Sequence, residues 1–243
     1  MDGVLRCSRY AFGPNRLHYC GPDQNREMLD YLKEDESDPG LRVLLGAFET
    51  MFPYLNFIAH ENKIKDPFDD RVVEAYWIGN NLLDKIEKKT FWRHLDEMHK
   101  IPKRIGKKDF EIVSDKIRQG AVPHHSFHVF SIWKRTGHFE EAHTLKSMDS
   151  CRVSWGEVKE VSGPAIKVLT EPLILNGCKL MLGKPVSKKI SRNLETSYDI
   201  EQLKSGDIIS IHWNVPCEVI SPLQAEELKK YTLRHIALAN QAI

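Results

Sequence analysis

The sequence predicts an α+β protein, with a mainly helical N-terminal domain over residues 1–148 and a small β-barrel with a closing helix over residues 149–243. Three observations carry that reading. From Asn25 to Gln119 apolar residues recur at helical spacing. After Thr144 the grain changes to short β-type runs broken by turn dipeptides. Behind Ser221-Pro222 the chain returns to helical spacing.

Taken in order, Cys7 to Pro22 is polar and aromatic with interspersed glycine and proline, and reads as an ordered arm built from turns. Its Cys7, His18 and Cys20 lack a C-x-x-C pair and read as reduced cysteines rather than a metal site. Asn25–Lys33 is a short amphipathic helix. Pro39-Gly40 opens another, with Leu41, Leu44, Leu45 and Phe48 on one face, running to about Met51 before Pro53 ends or kinks it. Asp66-Pro67-Phe68-Asp69-Asp70 is a helix start. Behind it Val73, Tyr76, Trp77, Leu83 and Ile86 form one stripe to about Lys88, and Gly79 permits close packing. Thr90 and Asp109 are placed to cap two further helices.

In the second half Val153, Trp155 and Val158, then Ile166 and Val168, then Leu173 to Leu175, are strand runs separated by Ser162-Gly163-Pro164 and other turn residues. Asn176-Gly177 is a two-residue hairpin signal. Ser205-Gly206 leads into an alternating strand, Asp207 to Trp213, and Val215 to Ile220 follows. Ser221-Pro222 then opens the last helix, to about Asn240.

Charge excludes some functions. The chain has 35 basic and 34 acidic side chains, and residues 151–243 hold 12 and 10, so neither half is a polyelectrolyte built to coat nucleic acid. The basic run Lys179, Lys184, Lys188, Lys189 and Arg192 lacks interleaved aromatic rings for stacking on bases, and reads as a solvated or protein-docking patch. No apolar run approaches the ~18 residues of a membrane span. The first residues lack a secretory pattern, and five cysteines without tight spacing fit a reducing compartment. The expectation is a cytoplasmic protein with neither nucleic-acid nor membrane partners.

Histidines concentrate in Pro123-His124-His125-Ser126-Phe127-His128-Val129-Phe130. On a helix His124 and His128 lie one turn apart and can share a metal ion. On a strand they would lie ~13 Å apart, too far for one ion. The segment lacks the glutamate of H-E-x-x-H. The competing reading is a core or interface segment, with Phe127, Phe130 and Trp133 as core.

Three segments of the second half carry a resemblance. They are Cys151-Arg-Val-Ser-Trp-Gly156-Glu-Val158-Lys-Glu-Val161, Leu203-Lys-Ser-Gly206-Asp207-Ile-Ile-Ser-Ile-His212-Trp-Asn-Val-Pro216, and the acidic helix opening Ser221-Pro-Leu-Gln-Ala-Glu-Glu-Leu-Lys-Lys230. In order and spacing, over about residues 149–240, they resemble the HypC/HupF-type chaperones of nickel–iron hydrogenase assembly. Two departures stand out: Cys151 is internal where the family cysteine follows the initiator methionine, and Trp155 replaces the proline before the family's glycine.

The resemblance implies an OB-like barrel with a helix. It implies a carrier that takes an iron fragment bearing cyanide and carbon monoxide, with other hydrogenase assembly proteins, toward the hydrogenase large subunit. The family's cysteine and histidine fall on Cys151 and His212. A thiolate suits iron with π-acid ligands, and an imidazole serves as ligand or as hydrogen-bond donor to cyanide. The helical half resembles no family of known function. The rival reading is a metal-dependent enzyme centred on His124 and His128, with the barrel as adaptor.

Overall fold

A computed structural model describes residues 1–132, 144–192 and 202–242; Trp133 lies outside them. Asp2 starts the first helix, α1 (Gly3–Asn15), its carboxylate accepting the Val4 and Leu5 N–H groups at 2.8 and 3.0 Å. Every residue of α1 is buried. Residues 7–15 of the segment expected to be an arm of turns therefore belong to a central helix, with turns only from 16 to 22, and the helix's polar residues are satisfied internally. Ser8 Oγ donates to the Leu5 carbonyl (2.7 Å), and Asn15 Nδ2 donates to the carbonyls of Cys20 (2.9 Å) and Pro22 (2.7 Å). Arg6 meets Glu218, Asp70 and Glu74.

Around α1 lie α2 (Asn25–Glu34), α3 (Pro39–Gly46), α4 (Met51–Glu61) and α5 (Asp70–Trp77). Pro53 neither ends nor kinks a helix. It sits in the first turn of α4, where its missing N–H has no intrahelical partner to lose. The stripe expected to run to Lys88 stops at Trp77: Gly79, at φ 100°, donates its N–H back to the Glu74 carbonyl, and Leu83–Lys85 is a separate 3₁₀ turn. Gly79 does allow close packing, since a β-carbon there would overlap the Tyr231 ring of the last helix. Next come α6 (Lys88–Arg93), a π-turn at His94–Met98, α7 (Ile101–Ile105), α8 (Lys107–Arg118), α9 (His125–Ser131) and α10 (Leu145–Cys151). Thr90 and Asp109 fall inside α6 and α8, each of which starts slightly earlier.

Strands β1 (Ser154–Ser162), β2 (Ala165–Thr170), β3 (Leu173–Asn176), β4 (Lys179–Leu182), β5 (Val186–Ser191), β6 (Ile208–His212) and β7 (Val215–Val219) follow, and α11 (Pro222–Ala239) closes the chain behind a Ser221/Gln224 capping box. Gly163-Pro164 joins β1 to β2 as expected, while the β3–β4 hairpin turns one residue later than Asn176-Gly177 predicts, at Gly177-Cys178, because Asn176 pairs with Lys179. Trp213 and Asn214 both take positive φ (51° and 61°) between β6 and β7, as a type I′ turn requires.

The sheet runs β5-β2-β1-β6-β7 with every neighbouring pair antiparallel, and β3–β4 stands apart as its own hairpin. The expected barrel is not closed. Its edge strands β5 and β7 approach each other with no ladder between them among the described residues. The β3–β4 hairpin, which would have extended the sheet, instead packs Leu173 and Leu180 with Met148, Phe130 and Ile236 of the surrounding helices.

One apolar core runs from the helices into the sheet, taking in Tyr10, Leu55, Tyr76 and Ile117 together with Val158, Val168, Ile190 and Ile211. The boundary expected at residues 148/149 falls within α10, ahead of the first strand. No helix among the described residues is long and apolar enough to cross a membrane.

Candidate metal centre

Three chain segments end at one point. His125 is the first residue of α9, Cys151 the last of α10, and His212 the last of β6. Among the described residues, one nitrogen from each histidine and the Cys151 sulfur lie within 4.8 Å of one another. A tetrahedral ion spaces such donors ~3.5 Å apart, so a rotamer adjustment of about 1 Å brings them into range.

Backbone carbonyls fix the tautomers. His212 Nδ1 lies 2.8 Å from the Tyr10 carbonyl, which can only accept, so Nδ1 carries the proton and Nε2 the lone pair. That Nε2 is buried without a hydrogen-bond partner. His125 Nε2 donates to the Cys151 carbonyl at 2.8 Å, leaving Nδ1 to accept from the Tyr76 hydroxyl at 3.1 Å. In metal centres a ligating imidazole commonly donates its second N–H to a carbonyl in this way. Gly13 makes the Tyr10 contact reachable: a β-carbon on it would crowd the His212 carbonyl, so α1 could not lie as close to the end of β6.

The site sits in a cleft of about 580 Å³ between the helices and the β6–β7 turn, lined also by Tyr76, Trp77, Trp213 and Cys20. Trp77 lies against both histidines, with ring centroids 4.6 Å from His125 and 5.3 Å from His212. Burial holds His212 down to about 4 and His125 well below its ordinary value. Both imidazoles are therefore neutral at neutral pH, the form that binds a metal. Cys151 is half-buried. Thiolate plus two imidazoles is a donor set for iron, zinc or copper rather than for magnesium or calcium.

Of the residues singled out in the sequence, Cys151 and His212 come together, and His124 and His128 do not. His124 is the N-cap of α9 with extended backbone, so the one-turn relation to His128 does not arise. Its Nδ1 accepts the Ser126 N–H (3.1 Å) and its ring stacks on Tyr231. His128 points to another cluster, with Nδ1 3.5 Å from Tyr54 Oη and its ring 6.5 Å from that of His99. Cys7 is fully buried against Met51 while His18 stands exposed beside Asp23, so these two are not joined with Cys20. His125 was present in the histidine-rich segment but not distinguished from its neighbours there. The phase at which α9 begins is what selects it.

The buried histidines make stability pH-dependent. Burial holds His94, His99 and His124 at about 4, 2 and 3. An unfolded histidine titrates near 6.5, so between about pH 6.5 and 4 the unfolded chain takes up protons that the folded chain refuses. Stability is complete above 6.5 and falls as pH drops through that window, by up to about 1.4 kcal/mol per pH unit for each such group. Urea midpoints measured at pH 7.5, 6.5 and 5.5 should fall between the last two; a flat series would contradict neutral burial.

No curated protein and no solved structure matches the chain. A family model does, and it covers the helices, the sheet and all three residues of the cluster. Matched over residues 1–243, the chain belongs to DUF6390, a family of unknown function.

Proposed function

We propose that the protein is an accessory factor of nickel–iron hydrogenase assembly that holds an iron–cyanide–carbonyl fragment at Cys151 and His212, with His125 as a third donor. The observation that carries this reading is the meeting of a thiol and two neutral imidazoles in one aromatic-walled cleft. A volume of about 580 Å³ exceeds the need of a bare ion and leaves room for an iron with diatomic ligands.

In this reading the open sheet and α11 are the OB-like carrier module, and the helical half completes its site. Tyr10 orients His212, and Trp77 shields the two imidazoles from water. Tyr76, released when His125 Nδ1 binds the cargo, offers its hydroxyl proton to a cyanide nitrogen. The partners are the assembly proteins that load the fragment and the hydrogenase large subunit that receives it, in the cytoplasm.

The test is direct. Protein purified without oxygen from cells that are maturing a hydrogenase should carry iron and show infrared bands of bound cyanide and carbon monoxide. Protein free of iron and of those bands, taken from cells whose hydrogenase matures normally, would overturn the reading.

A further inference from the structure

A second cleft adjoins the same stretch of backbone. Ser150 and Asn214, which line it, are next to Cys151 and next but one to His212, and the Trp213 N–H donates to the Ser150 carbonyl at 2.8 Å to tie the two segments together. The volume is about 490 Å³.

Its wall is cationic. Arg16 comes from the end of α1, Lys146 from α10, and Lys188 and Lys189 from β5. None of the four makes an ion pair among the described residues. The one carboxylate in the wall, Asp149, is already engaged: its Oδ1 accepts Arg152 Nε and the Leu173 N–H, each at 2.9 Å. Burial lowers the Lys188 pKa, and the charge of Asp149, itself shared with Arg152, offsets that desolvation only in part.

The cleft also follows a strand edge. Residues 188 to 191 all line it, although successive strand side chains point to opposite faces, so it runs along the edge of β5 rather than over one face. That edge is the one not paired with β2; β7 approaches it, but no ladder joins the two among the described residues, so its main-chain groups remain open to an added strand. No glycine-rich loop contributes to the wall, and three of the four cations are lysines, which act as flexible point charges rather than as a bidentate phosphate fork. A strand edge lined with point charges suits an extended acidic chain better than a compact phosphate.

We propose that this cleft docks an extended, carboxylate-rich segment of a partner protein, laid along the free edge of β5 with its side chains among Arg16, Lys146, Lys188 and Lys189. Such docking combines main-chain pairing at a strand edge with charge complementarity. It rests on the carrier reading only in what it implies about the partner: one that docks here sits against the backbone of Cys151, where cargo is passed on.

The probe is a fluorescein-labelled hexaglutamate peptide, titrated into the full-length protein and read by anisotropy. Binding should weaken as salt rises, and hydrogen exchange of the β5 amides should slow on addition of the peptide. The double variant Lys146→Glu/Lys189→Glu should lose affinity by about tenfold or more, and Arg16→Glu alone should lose a smaller part. The control pair Lys179→Glu/Lys184→Glu, which changes charge equally outside the cleft, should lose less than about twofold. Equal losses in both pairs, unprotected β5 amides, or displacement of the peptide by inorganic phosphate at matched ionic strength would each overturn the proposal. Cobalt uptake, measured alongside, separates the two ideas. Failure to take up the metal counts against the carrier reading alone, and a cleft variant that takes up cobalt normally but not the peptide supports docking alone.

Discussion

Cys151→Ala is expected to abolish both metal uptake in vitro and hydrogenase maturation in cells that carry the variant as their sole copy. The thiol is the one soft donor that becomes anionic in the cluster, and neither imidazole can replace its charge or its sulfur. The wild-type protein with cobalt should show an intense sulfur-to-metal charge-transfer band that the variant lacks. His212→Ala should weaken uptake by about 10–100-fold rather than abolish it, because His125 and Cys151 remain, and His125→Ala should behave alike. Folding should change little in Cys151→Ala, since the side chain is half-buried at the end of α10. Stable Cys151→Ala protein supporting normal maturation would defeat the carrier mechanism.

The second large effect concerns stability. Glu218 on β7 is 2% exposed and accepts Arg6 Nε (3.0 Å), Arg6 Nη2 (2.9 Å) and the Tyr10 hydroxyl (2.6 Å). Burial opposes the charge on Arg6, but Glu218 beside it holds the guanidinium pKa above its usual value. Glu218→Ala removes the buried counter-charge and leaves Arg6 with the more exposed Asp70 and Glu74. Breaking a buried pair from one side costs about 3–5 kcal/mol, and those two remaining carboxylates place the loss at the lower end. Urea unfolding of the variant beside wild type measures it. A loss under about 1 kcal/mol would mean that water or Asp70 and Glu74 already compensate Arg6.

How much of this could be read from the chain depends on how local the signal is. The hairpins at Gly163-Pro164 and Gly177-Cys178, the second to within one residue, and the Ser221 cap were legible because turn and cap chemistry acts over a few residues. Local pattern gave no reason to join Cys151 with His212; their proximity was expected only from the resemblance, and what the structure shows is the proximity itself. Helix α1 was not legible, because periodicity finds a helix with one wet face, and α1 has none. The partner that lets Arg6 be buried, Glu218, lies 212 residues away in the chain, beyond any local signal. The closure of the barrel was overestimated for a related reason. Strand runs announce themselves, but whether Leu173 to Leu182 joins the sheet or leaves it for α10 and α11 depends on packing. His125 was passed over in favour of His124 and His128 because their one-turn spacing assumed a helix starting before His124, whereas the helix starts at His125.

The burial of α1 also sets a timetable for synthesis. Helix α1 has its charge partner at Glu218, and its Tyr10 carbonyl meets His212, some two hundred residues later in each case. Contacts so distant in sequence form late, because a long loop must close before they repay its entropy. Until β6 and β7 emerge, α1 lacks part of its cover, Arg6 has only the more exposed Asp70 and Glu74, and the cluster of His125, Cys151 and His212 is incomplete. The cluster is therefore assembled only once β6 is in place. Loss of the last two strands should leave a protein that cannot load and whose first helix is exposed to chaperones and proteases.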